Sequence, residues 1–138
     1  MKFLGYRTGA ELLDLVRESR ASVLPSEWYE NAPISVLESL ALGKPTIGAE
    51  IGGIPEMIRK NESGWLFESG DVEGLAEILD SVSTMPDADI ENVGKTARAL
   101  VEREFSPMNY KKAIADIYGS LGVPSSDRKP TTLVSERL

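Results

Sequence analysis

Neither cysteine nor histidine occurs anywhere in the chain. The first absence excludes a disulfide framework, a thiolate metal site and a thiol nucleophile. The second removes the commonest general base and the commonest metal ligand. Chemistry here has to use carboxylates, hydroxyls, lysines or backbone amides. Basic residues are also scarce: 15 Lys and Arg against 22 Asp and Glu leave a net charge of −7. There is thus no basic footprint for nucleic acid and little attraction to anionic membranes. No apolar run is long enough to span a bilayer, and Met1-Lys2-Phe3-Leu4 is followed at once by Gly5 and Arg7, unlike a signal peptide. The expectation is a soluble, cytoplasmic chain. Its 138 residues suit one domain with a real core and are short for a two-domain enzyme.

Strand and helix signals alternate along the first half. Residues 3–6 read as the end of a strand, with a turn near Gly5. Thr8 with Glu11 three residues on is a capping-box pattern, opening a helix that carries Leu12, Leu13, Leu15 and Val16 and ends near Ser19 or Arg20. Strand-like runs follow at 21–25, 46–49 and 64–67, separated by helical stretches after Ala32 and over 54–60. After residue 70 only helices are signalled. Asp71 caps one bearing Leu75, Ile78, Leu79 and Val82, closed by Pro86; a second covers roughly 88–103 with Val93, Ala97, Leu100 and Val101 inward. Ser106-Pro107 opens a third, with Tyr110, Ile114, Ile117 and Tyr118 on one side. This rhythm predicts an α/β fold, a Rossmann-like parallel sheet of three to four strands flanked by helices and followed by a C-terminal helical cluster. Residues 1–120 form the expected folded part, and the polar, proline-containing 121–138 a mobile tail. The stub at 3–6 suggests the C-terminal part of a larger α/β domain, or one chain of a split protein.

The stretch Glu30-Asn31-Ala32-Pro33-Ile34-Ser35-Val36-Leu37-Glu38 sets two glutamates across a strand-to-helix turn. Pro33 suits the first helical turn, where its missing N–H costs nothing, and Gly43 with Pro45 ends the helix. On a wheel of about 100° per residue with Ile34 at zero, Val36, Leu37, Leu40 and Ala41 fill one arc, and Ser35, Ser39 and Gly43 define the polar side. Glu38 falls near 40°, between Ile34 and Leu42. That position predicts a carboxylate wedged among apolar neighbours and in need of a partner, since burying an unpaired charge costs several kcal/mol.

Ligands of open parallel sheets bind outside the carboxyl ends of the strands. Three junctions of this chain fall there: 5–9, 26–33 and 50–54. The second offers a helix N-terminus, where the amides of Asn31, Ala32 and Ile34 are natural donors to phosphate. Glu30 is placed to accept from sugar hydroxyls, and Glu38 to take two hydroxyls of a ribose diol. The plainer alternative is that Glu30 caps the turn while Glu38 pairs with Lys44 or Arg59.

The pattern Ser26-x-x-x-Glu30-Asn31-x-Pro33-x-x-x-Leu37-Glu38-Ser39-Leu40-Ala41-x-Gly43-x-Pro45, then Gly52-Gly53-x-Pro55-Glu56, resembles the donor half of retaining glycosyltransferases of the GT-B fold. More narrowly, it is similar to the group 1 (family 4) set that uses nucleotide-activated sugars. The resemblance runs through Gly64-Trp65-Leu66-Phe67 and Gly70-Asp71 to the last helices, about residues 3–120. It implies that 1–120 is a nucleotide-sugar-binding half-domain and that Glu30 is the first glutamate of the Glu-x7-Glu motif, the catalytic candidate in contact with the transferred sugar. Glu38, the second, grips the nucleotide ribose. The amides after Glu30 hold sugar hydroxyls and diphosphate, although Asn-Ala-Pro stands where many members have Gly-Phe-Gly and one amide contact is lost. Gly52-Gly53 either lets the next loop pass close to the site or packs strand on helix, and Glu56 reads as structural.

The donor implied is a nucleotide diphosphate sugar, with no cofactor and no metal. The family's upstream arginine and lysine, which neutralise the diphosphate, and its N-terminal acceptor domain are missing from these residues. Arg7 is the only cation on a strand-end loop and reads as solvated. Transfer by the isolated chain is therefore not expected, and contact with a membrane surface would come only through the missing domain. The truncated sheet also predicts an exposed edge and a homo-oligomer. Two other readings remain: a non-catalytic subunit completing a two-chain transferase, and a Rossmann-type cofactor binder. The last lacks a Gly-x-Gly-x-x-Gly after any strand.

Overall fold

The computed structural model describes residues 2–122, in two units that divide between Phe105 and Ser106. The first unit carries three strands, β1 (Ser22–Leu24), β2 (Thr46–Ala49) and β3 (Gly64–Phe67), in the order β1-β2-β3. Both pairings are parallel, with Ser22 beside Thr46, and Thr46 beside Gly64. Parallel neighbours need crossover connections, and α2 (Ile34–Ala41) and α3 (Ile54–Met57) supply them after α1 (Gly9–Glu18). Then come α4 (Val72–Thr84) and α5 (Asp87–Glu104).

Every residue of β2 and β3 is buried, as a parallel sheet covered on both faces requires. Alternation divides the side chains between two cores. Leu66 faces Val36, Leu40, Ile54, Met57, Ile58 and Ala97, which places α2, α3 and part of α5 on one side. Ile47, Ala49, Trp65 and Phe67 face Val82 and Ile90, with Leu75 and Ile78 packed on them, which places α4 and the start of α5 on the other. Arg20 ties the end of α4 to the sheet. Its guanidinium donates to the carbonyls of Val82, at 2.7 Å, and Met85, where a cation meets the negative end of the helix.

Several local expectations need correcting. No strand forms at 3–6: Gly5 turns the backbone to φ 68°, outside the extended region, and Phe3 and Tyr6 are exposed. Among the described residues the sheet therefore has three strands. Thr8 precedes α1 without a capping hydrogen bond, and the Glu11 carboxylate pairs with Arg7 at 2.9 Å. Pro33 is the N-cap of α2 and not its first residue. The helix expected over 54–60 stops at Met57, since Ile58 is already extended at φ −113°, ψ 121°. Leu79 on α4 is exposed. Asp71 does cap α4, accepting from the Gly74 amide at 3.0 Å.

In the second unit, Ser106 accepts from the Asn109 amide at 3.2 Å to cap α6 (Pro107–Ser120). None of its residues is buried. Residues 123–138, most of the expected tail, lie outside the described residues.

Candidate functional site

β1 ends at Leu24, and the chain then loops through residues 25–33 to the start of α2 at Ile34. Main-chain and hydroxyl hydrogen bonds join the loops at this carboxyl edge. The amide of Gly53, after β2, donates to the Glu30 carbonyl at 2.8 Å. The Ser69 hydroxyl, after β3, donates to the Ser26 carbonyl at 3.0 Å. The Glu50 amide donates to Phe67 O at 2.7 Å, joining the ends of β2 and β3. Ser26 Oγ accepts from the Trp28 amide at 3.2 Å and donates to its carbonyl at 3.1 Å, fixing the loop from within.

Gly52 and Gly53 make this approach possible. A Cβ at Gly52 would stand 2.3 Å from the Glu30 carbonyl oxygen, and one at Gly53 would stand 1.9 Å from that of Asn31. Both distances are inside any real contact, so only glycine lets the second loop run beneath the first. Of the two roles open to this pair, the structure gives the close approach of the loops.

Glu30 is half-buried in the loop, while Asn31, Ala32 and Ile34 are exposed. The N-cap of α2 is a proline with no side-chain cap. Among the described residues the amides of Asn31, Ala32 and Ile34 donate to no protein acceptor. They remain open at the positive end of the helix.

Glu38 is not wedged in the core; it is exposed, one turn beyond Ile34, which is itself 69% exposed. The wheel misplaced the buried side because α2 packs through small residues. Ser39 is 5% exposed and its hydroxyl sits 2.8 Å from that of Ser22 on β1. Gly43, after the helix, lies against Gly94 of α5. Turning Ser39 and Gly43 inward carries Ile34 and Glu38 outward. Glu38 has no ion pair among the described residues; Arg59 instead holds Glu104 at 2.7 Å. Arg7 is taken up locally by Glu11 and by the Tyr6 carbonyl. Glu56 is exposed.

Two residues of this edge escaped the sequence reading. Trp28 and Tyr29, directly before Glu30, are 81% and 88% exposed. Consecutive aromatics in a loop, where no helical or strand period can bury both, are the signal that marks them.

A parallel sheet with helices on both faces, an uncapped helix N-terminus at its carboxyl edge and a glycine pair under that turn define a Rossmann-like α/β domain with a candidate anion-binding edge. Residues 1–103 match the family model of glycosyl transferases group 1, and the chain belongs to that family. It is 35% identical over 122 residues to the amylovoran biosynthesis glycosyltransferase AmsK of Erwinia amylovora, covering 85% of this chain and 30% of that protein. It is 37% identical over 105 residues to N-acetyl-alpha-D-glucosaminyl L-malate synthase of Bacillus anthracis, covering 75% of this chain and 26% of that one. The chain thus spans about 30% or less of the length of these curated relatives. Among solved structures, Anabaena HepE in complex with UDP superposes with a TM-score of 0.74 at 25% identity, over 86% of this chain and 32% of that one. Sucrose-phosphate synthase from Thermosynechococcus elongatus gives 0.69 at 25% identity, over 81% and 28%. No helix among the described residues is long and apolar enough to cross a membrane.

Proposed function

We propose that this chain binds the nucleotide diphosphate sugar donor of a retaining glycosyltransferase. Glu30 meets the transferred sugar, the amides of Asn31, Ala32 and Ile34 hold the diphosphate, and Glu38 takes the ribose hydroxyls. The observation that carries the reading is the exposed row of Ile34 and Glu38 on α2, continuous with open amides, beside a loop fixed by Gly53. An exposed carboxylate with no ion pair among the described residues keeps its acceptors free for a diol, and the open helix end attracts phosphate. Membership of the family and the likeness to HepE bound to UDP support a nucleotide ligand.

No metal or cofactor is needed in this scheme, because amides and helix dipole meet the diphosphate directly. The acceptor is held by a separate N-terminal domain, through which any contact with a membrane surface of the cytoplasm is made. The chain alone does not transfer sugar, since stabilising the leaving diphosphate needs further preorganised cations. In isolation it associates with a second copy through the free edge of β1; a monomer by light scattering at high concentration would contradict that clause alone. The nucleotide reading is tested by calorimetry against uridine, guanosine and adenosine diphosphates. Binding of one of them is the expected result. A folded chain that binds none refutes it.

A further inference from the structure

Trp28 and Tyr29 stand out from the other large aromatics of the sheet. Trp65 and Phe67 are 9% and 7% exposed inside a core, whereas Trp28 and Tyr29 are 81% and 88% exposed on the carboxyl edge. An exposed aromatic leaves a large apolar face in water, and a loose loop would be the simple explanation. This loop is not loose. The Ser26 hydroxyl bonds both the amide and the carbonyl of Trp28, Ser69 holds Ser26, and Gly53 holds Glu30. The backbone on both sides of the pair is fixed, and both side chains stand exposed on it.

Exposed aromatics next in the chain to a carboxylate suit one class of ligand particularly well. A pyranose offers hydroxyls around its rim and a patch of polarised C–H groups on its face. The carboxylate accepts from the rim, and the negative face of an aromatic ring attracts the C–H patch. A nucleobase also stacks on aromatics, but position argues against it here. Glu38, the ribose residue of the proposed function, lies about 6 Å further along α2 than Ile34. On that reading the base lies with Glu38 on α2 and the sugar with Glu30, the residue that follows Trp28 and Tyr29 in the chain. Resting on that proposed function, we infer that Trp28, with Tyr29 beside it, is the stacking wall for the sugar of the nucleotide donor and a determinant of which sugar is accepted.

The test uses the 138-residue chain, its fold checked by circular dichroism. A panel of UDP- and GDP-hexoses is titrated by calorimetry, and the tightest binder is compared with its parent diphosphate in wild type, Trp28→Ala, Trp28→Phe and Tyr29→Ala. Trp28→Ala is expected to weaken the nucleotide sugar roughly three- to tenfold and to leave the diphosphate unchanged. Trp28→Phe restores most of the loss, and Tyr29→Ala has the smaller effect. Trp28 emission shifts to the blue with the nucleotide sugar and not with the diphosphate. Equal loss for both ligands in Trp28→Ala would mean base stacking and overturn the inference, as would no loss for either. If the wild type binds neither diphosphates nor nucleotide sugars, the proposed function falls with it. Wild-type binding without a Trp28 effect removes the inference alone.

Discussion

Gly53→Ala isolates the contact between the two loops of the site. Gly53 has φ −87°, a conformation any residue adopts, so alanine strains no dihedral there. Only the contact is at issue. The new Cβ would stand 1.9 Å from Asn31 O and 3.0 Å from Asn31 C, both main-chain atoms that no rotamer change can clear. About 1.5 Å must be made up before ordinary contact at 3.4 Å, and the loops must part to provide it. Overpacking of this kind costs about 1–3 kcal/mol, and stretching the bond from Gly53 N to Glu30 O adds about 1 kcal/mol. For a domain of this size the melting temperature should fall by on the order of 10 °C. The moved loop carries Glu30 and the amides of Asn31 and Ala32, and a displacement near 1 Å is enough to weaken a positioned site severely. Nucleotide affinity should fall at least roughly tenfold. Val82→Ala, in the core on the α4 face, is the control. It should cost roughly 2 kcal/mol of stability by leaving a cavity and leave affinity untouched. Scanning calorimetry and nucleotide titration of the three proteins decide the matter. An unchanged melting temperature in Gly53→Ala would refute the contact, and a lowered one with full affinity would refute the loop as part of the site.

Two further substitutions probe single groups. Glu38→Gln should leave stability within about 0.5 kcal/mol, because the side chain is exposed and has no ion pair among the described residues. It should lower nucleotide affinity roughly ten- to a hundredfold by replacing charge-assisted acceptors. A lowered melting point with intact affinity would contradict it. Glu104 accepts hydrogen bonds from Arg103 and Arg59, each at 2.7 Å. Chiefly the Arg103 bond, then the two positive charges, hold its carboxyl below the usual carboxylate range, against the opposing effect of desolvation. A depressed folded value stabilises above the ordinary carboxylate range and fades as pH falls through the lowered one. Glu104→Gln should therefore melt slightly below wild type at neutral pH and converge on it in acid; a gap that widens in acid would be the wrong sign.

The parallel sheet and its helices were legible because their cues are local. Ala21 to Pro25, Thr46 to Ala49 and Gly64 to Phe67 are short apolar runs closed by turn residues, and each contains a strand. Asp71 and Ser106 were readable as caps for the same reason, since the group each accepts from is three residues away. Glu38 was misread because a helical wheel ranks faces by hydrophobicity alone. The face that α2 buries is chosen by what lies across from it, here Ser22 and Gly94, which reward small residues over large ones. In the capping box expected at Thr8, the Glu11 carboxylate is taken by Arg7. The site loop's tie to Ser69 spans 43 residues and leaves no trace in local pattern. The Gly52-Gly53 pair was visible, but its role depended on a loop some twenty residues earlier.

The link from Gly53 to Glu30 is made by an amide and a carbonyl, atoms that nearly every residue carries. The first loop can therefore exchange the side chains at Glu27 to Ala32 without giving up its position, provided the glycines beneath it stay. Placement of the loop is the task of the glycines, and chemistry that of the residues above them. Under the proposed function, donor preference can then drift by substitution at a few exposed positions while the anchorage is inherited unchanged. Such a division makes this edge a practical place to graft new sugar specificity, with Gly52 and Gly53 as the two positions to leave alone.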